Sequence, residues 1–140
     1  MDALAWIDPK TNYINSDKFN AEDFNRIIGN IKELAGKAAR LKKKPDIIDQ
    51  EEKDAVNYTS LIYADDFNSV IKNINTINAA AYDIALEAMV TYKDGGKTPM
   101  AAELNTIEGN IEKMAKNINA NYANMEKLEF NLGNYKGIRI

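Results

Sequence analysis

The chain contains no cysteine and no histidine among its 140 residues. Lacking cysteine, it can form no disulfide, no thiolate metal site and no thiol nucleophile. Lacking histidine, it loses the commonest general base, the commonest metal ligand and every Ser–His or Cys–His nucleophile arrangement. Long apolar runs are missing too. The longest, Ala79 to Val90, is interrupted by Asp83 and Glu87 and is too short and too polar to span a bilayer. The start, Met1-Asp2-Ala3-Leu4-Ala5-Trp6, has neither a basic stretch nor an apolar core of signal-peptide type. A protein made in soluble form is expected, with no membrane partner. A net charge of −3 gives no global reason to bind nucleic acid, and none is expected as a partner.

What is present suits a folded domain. Hydrophobic residues make up 45% and charged residues 28%, a globular balance in a chain long enough for one core. One helical phrase occurs three times. It reads Asp23-Phe24-Asn25-Arg26-Ile27-Ile28-Gly29-Asn30-Ile31-Lys32-Glu33-Leu34, then Asp66-Phe67-Asn68-Ser69-Val70-Ile71-Lys72-Asn73-Ile74-Asn75-Thr76-Ile77. The third copy is Glu103-Leu104-Asn105-Thr106-Ile107-Glu108-Gly109-Asn110-Ile111-Glu112-Lys113-Met114. The copies start 43 and 37 residues apart. Each follows the order acid, large apolar, Asn, x, β-branched, x, x, Asn, Ile, x, x, apolar.

The physics of the phrase is legible. Phe24, Ile27, Ile31 and Leu34 step by three, four and three residues and form one apolar stripe on a helix. Phe67, Val70, Ile74 and Ile77 repeat it, as do Leu104, Ile107, Ile111 and Met114. At about 100° per residue, the first asparagine of each copy flanks one rim of the stripe and the second flanks the other. Asn25, Asn30, Asn68, Asn73, Asn105 and Asn110 are therefore candidate interaction residues. Each amide can donate and accept at once toward neighbouring helix ends or loops as the seams close. The alternative is that they are solvated helix-face residues.

Punctuation divides the chain. Asn20 before Ala21-Glu22-Asp23 reads as an N-cap, and Lys42-Lys43-Lys44 before Pro45 as the end of a first helix. The lysines suit the negative pole of the helix dipole better than a nucleic acid. A second helix is expected from about Ala64, extending to about Tyr92, and Asp94-Gly95-Gly96-Lys97-Thr98-Pro99 breaks the chain after it. A third begins at Thr98 and Pro99 and reaches about Met125. Residues 1–19 have no helical period and read as an extended arm, with Trp6, Tyr13 and Phe19 as anchors to a core or neighbour. Leu128 to Leu132 and Ile138 to Ile140 alternate apolar and polar around Gly133–Gly137, a β-hairpin signal. The expected architecture is mainly α: a single domain over 1–140, with an extended arm (1–19), a three-helix bundle (20–125) and a small C-terminal β-hairpin (126–140).

No chemistry-bearing motif emerges. The adjacent acids Glu51-Glu52 and Asp65-Asp66 point about 100° apart on a helix and suit helix starts better than paired catalysis. Gly96-Lys97-Thr98 lacks the first glycine of a phosphate loop, since Thr91 stands there, and no buried strand precedes it. No catalytic, cofactor-binding or metal-ligating residue is assigned, and no cofactor is expected.

Three segments also carry a resemblance. Ala5-Trp6-Ile7-Asp8-Pro9-Lys10-Thr11 with Ser16-Asp17-Lys18-Phe19-Asn20-Ala21-Glu22-Asp23-Phe24-Asn25-Arg26-Ile27 resembles the opening of small structural proteins from tail modules of phages and prophages of Gram-positive bacteria. Glu103-Leu104-Asn105-Thr106-Ile107-Glu108 is similar to a later phrase of that family, and Leu128-Glu129-Phe130-Asn131-Leu132-Gly133 to its close. Tyr13 stands where the family often has tryptophan, and Thr106 where it has arginine. The resemblance implies a non-catalytic virion protein, tail or baseplate-associated, working by protein–protein association with other tail proteins and, as a homo-oligomer, with itself. The rival reading is a host-surface carbohydrate-binding module built on Trp6 and the tyrosines.

Overall fold

The computed structural model describes residues 6–54, 62–94 and 99–134. Three helices form: α1 (Ala21–Leu41), α2 (Ala64–Ala80) and α3 (Ala101–Asn134). Each begins with the same device. The acid that opens the repeated phrase occupies the third helical position and accepts the backbone N–H of the cap residue: Asp23 from Asn20 (3.2 Å), Asp66 from Tyr63 (2.7 Å) and Glu103 from Met100 (3.1 Å). In α1 the box is reciprocal, since Asn20 Oδ1 accepts from Asp23 N–H.

The three helices run parallel. Arg26 meets Glu108 and Lys37 meets Asn119, so α1 and α3 advance together, while Lys42 at the end of α1 lies 5.2 Å from the Tyr82 ring just beyond α2. Their stripes share one core. Phe24, Phe67 and Leu104 are all buried in it, with Ile31, Ile74 and Ile111 at the next level and Leu34, Ile77 and Met114 below. At the N-terminal end a row of rings runs Tyr13, Phe19, Phe67, Tyr92, with centroids 5.3 to 6.3 Å apart.

Three expectations need correction. The C-terminal hairpin is absent: Leu128 to Leu132 lie inside α3, which continues to Asn134, and residues 135–140 lie outside the described set. The alternation that suggests a strand also fits a helix, because Met125, Leu128 and Leu132 step by three and four. Extending an existing helix adds one hydrogen bond per residue, whereas a lone hairpin is marginal. No strand occurs among the described residues.

The second helix is also shorter than its apolar spacing predicts, ending at Ala80 instead of near Tyr92. Asn78 overrides the alanine-rich stretch. Its amide donates to Ile84 O (2.8 Å) and accepts from Ile84 N (3.1 Å), while Asp83 N–H bonds Asn78 O and Asp83 takes φ of 49°. That left-handed residue turns the chain back on itself. The third helix starts at Ala101 with Met100 as its cap, two residues beyond the expected Pro99 start; Thr98, the expected cap, lies outside the described residues.

Candidate functional site: an asparagine-clamped groove system

Parallel helices in one chain require return connections, and here these run extended against the helix direction. Residues 6–13 precede α1, 47–54 precede α2 and 84–92 precede α3. Extended backbone exposes an N–H and a C=O at every residue, and with no neighbouring strand these need other partners. The repeated asparagines supply them.

The second asparagine of each phrase holds the return segment that leads into its own helix. Asn30 accepts from Ile7 N (3.1 Å) and donates to Ile7 O (2.7 Å). Asn73 does the same with Ile48 (2.7 and 2.9 Å), and Asn110 with Glu87 (2.9 and 2.9 Å). The first asparagine holds the segment beyond. Asn25 pairs with both backbone groups of Lys53 (2.7 and 2.9 Å), Asn68 with those of Tyr92 (2.8 and 2.7 Å) and Asn105 with those of Tyr13 (2.7 and 3.2 Å). A carboxamide presents the same donor and acceptor as a peptide group, so each clamp is one rung of a sheet ladder made by a side chain. The i, i+5 spacing places the two amides about 140° apart around the helix, on either side of the apolar stripe.

The result is a closed cycle. The segment 47–54 lies between α2 and α1, 84–92 between α3 and α2, and 6–13 between α1 and α3. Asn30, Asn73 and Asn110 are fully buried, and no buried side-chain nitrogen or oxygen among the described residues lacks a hydrogen-bond partner.

One junction departs from the threefold pattern. Glu108 occupies the position held by Ile28 and Ile71 in the other copies and is fully buried. Arg26 binds it through two nitrogens (Nε to Oε1, 3.0 Å; Nη2 to Oε2, 2.7 Å), the Tyr13 hydroxyl donates to Oε2, and Lys10 N–H donates to Oε1 (2.9 Å). Arg26 Nη2 also reaches Asp23 (3.0 Å) and the Tyr13 oxygen (2.7 Å). Its hydrogen bonds to Glu108 hold the Arg26 proton above the ordinary arginine range, and burial followed by the Glu108 carboxylate raises the Tyr13 phenol well above its usual value. The Tyr92 phenol is raised likewise, by burial and by its bond to Glu103 (3.0 Å).

Every residue singled out from the sequence has a place in this arrangement. The six asparagines make the clamps, while Phe24, Phe67 and Leu104 lie in the core. Tyr13, 4% exposed, is a buried anchor, and Trp6 is half-buried against the core, so the two do not form an open aromatic platform. Missed by sequence reasoning were Arg26 and Glu108. The signal was available: Glu108 is charged at the sixth place of the phrase, beside the stripe, where both other copies have isoleucine.

No family model matches the chain. Searches of curated proteins and of solved structures also return no match. Among the described residues no helix is long and apolar enough to cross a membrane, and no acidic group is arranged to hold a metal ion.

Proposed function

We propose that this chain is a non-catalytic structural protein of a phage or prophage particle, a tail or baseplate component that acts by association with other tail proteins and with copies of itself. The observation that carries the reading is the Arg26–Glu108 pair. Both residues belong to the phrases that resemble the tail-module family, one in the opening phrase and one in the later phrase, and they meet at 2.7 Å across the bundle. The shared residues therefore specify an architecture. The deepest carboxylate among the described residues already accepts four hydrogen bonds from Arg26, Tyr13 and Lys10, which leaves it no lone pair free for a substrate.

Association has surfaces available. α3 continues well past the end of α1, and Leu128 on that extension is 58% exposed. The test is mass spectrometry of particles purified after prophage induction in the source bacterium, with antibody labelling of the intact particle. The chain is expected at a fixed stoichiometry and at the tail. Intact particles that lack it overturn the reading.

A further inference from the structure

The segments 47–54 and 84–92 are each strung between the two helices whose groove they fill, so the chain itself delivers them. Residues 6–13 differ: they join α1 through residues 14–20 and reach α3 through non-covalent contacts alone, over sequence separations of 92 to 98 residues. A segment placed by tethering needs little recognition, whereas one placed by affinity needs more. The extra recognition is at this junction. Among the described residues only this junction has a buried ion pair reading the segment, Glu108 taking both the Lys10 N–H and the Tyr13 hydroxyl. A buried, fully paired charge at one place in an otherwise apolar seam fits a registry device better than a gain in stability.

We propose that the groove between α1 and α3 accepts residues 6–13 of a second copy as well as its own, so that copies associate by exchanging this segment. Both Asn30 and Asn105 bind backbone, and Glu108 and Arg26 bind Tyr13 and Lys10, so the incoming segment meets identical partners in either arrangement. The hinge is the turn at Ile14–Asp17, where Asp17 N–H bonds Ile14 O and Ile14 N–H bonds the Asp17 carboxylate, both at 2.9 Å. Reciprocal exchange yields a two-fold dimer and unidirectional exchange an open chain. The inference stands on this junction and does not depend on the virion reading.

The test uses the full chain, which has no native cysteine to interfere. One population carries a donor dye on Ile7→Cys, whose side chain is exposed and whose clamp is backbone, and another an acceptor on Lys116→Cys, an exposed position of α3. Energy transfer is expected to grow slowly after mixing, with a dimer mass by light scattering that increases with concentration. Glu108→Gln, and the milder Tyr13→Phe should the first fail to fold, are expected to speed the growth about tenfold by removing a charge-assisted bond. A strict monomer with no transfer overturns the proposal. So does transfer complete within the mixing time, or at a rate indifferent to both substitutions, because that describes an ordinary surface dimer.

Discussion

Replacing Arg26 by serine, the residue that its counterpart Ser69 already is, leaves the Glu108 carboxylate buried without its cation. The Tyr13 hydroxyl and Lys10 N–H remain, but neither carries charge. Breaking a buried ion pair by removing one member typically costs about 3–5 kcal/mol, and full burial of Glu108 together with the two-nitrogen contact places this pair at the upper end. Adding Glu108→Ile to the same chain restores the side chain found at Ile28 and Ile71. That removes the unpaired charge and leaves one buried phenol without its acceptor, about 1–3 kcal/mol, beside a Lys10 N–H that is only part-buried. The double variant is therefore expected to be more stable than Arg26→Ser alone, by about 2 kcal/mol. Glu108→Ile alone should fall between them, since Arg26 keeps Asp23 at 3.0 Å. Urea unfolding followed by circular dichroism gives all four corners of the cycle. The reasoning fails if Arg26→Ser costs under about 1 kcal/mol, or if the second substitution lowers stability further.

Other perturbations have signs that follow from the same contacts. Asn73→Ala removes three hydrogen bonds, to both backbone groups of Ile48 and to the Gln50 side chain; a loss of about 2–4 kcal/mol is expected in urea unfolding, and faster amide exchange at Ile48 by NMR. Because the Tyr13 and Tyr92 phenols are raised above the ordinary value, the folded state keeps protons that the unfolded state releases at high pH. Their contribution to stability should be constant below about pH 10 and fall above it, and Tyr13→Phe or Tyr92→Phe should flatten that fall in alkaline urea titrations. Asp83→Gly relieves the left-handed backbone at an exposed turn and should raise stability by about 0.5–1 kcal/mol, read as an increased urea midpoint.

Local signals in the sequence foretold what depends on local physics. The stripe Phe24, Ile27, Ile31, Leu34 and its two counterparts specify helices and a shared core, and Asn20 with Asp23 specifies where α1 begins, because a cap needs only four residues. The same reasoning misjudges the stretch after Ala80. Ala81, Ile84, Ala85 and Ala88 have good helical spacing, and what ends the helix is the Asn78 side chain folding back on Ile84, a competition between a side-chain amide and the helix ladder that composition does not weigh. At the C-terminus, five alternating residues fit strand and helix equally, and the helix already running decides the outcome. The paired asparagines were visible as a pattern, yet their partners are extended segments 23 to 28 residues away from Asn30, Asn73, Asn110, Asn25 and Asn68 and 92 from Asn105, a separation no local rule reaches.

The clamp explains why a threefold pattern persists in residues that are neither oily nor catalytic. Packing three parallel helices leaves three grooves, and the chain must thread each with backbone that has no strand beside it. A buried, unpaired peptide group costs about 1–3 kcal/mol, and each clamped residue would leave two. Six clamps satisfy twelve backbone groups, all of them part-buried. Aspartate in the same places has no N–H to donate and would satisfy only one side of each rung, whereas the carboxamide of asparagine answers both sides from two separate atoms. The symmetry then creates its own difficulty, since three like grooves and three like segments do not by themselves specify which belongs with which. Two of the pairings are enforced by chain connectivity. The third is enforced by chemistry, through Glu108, the one buried carboxylate among the described residues, placed where its counterparts are isoleucine.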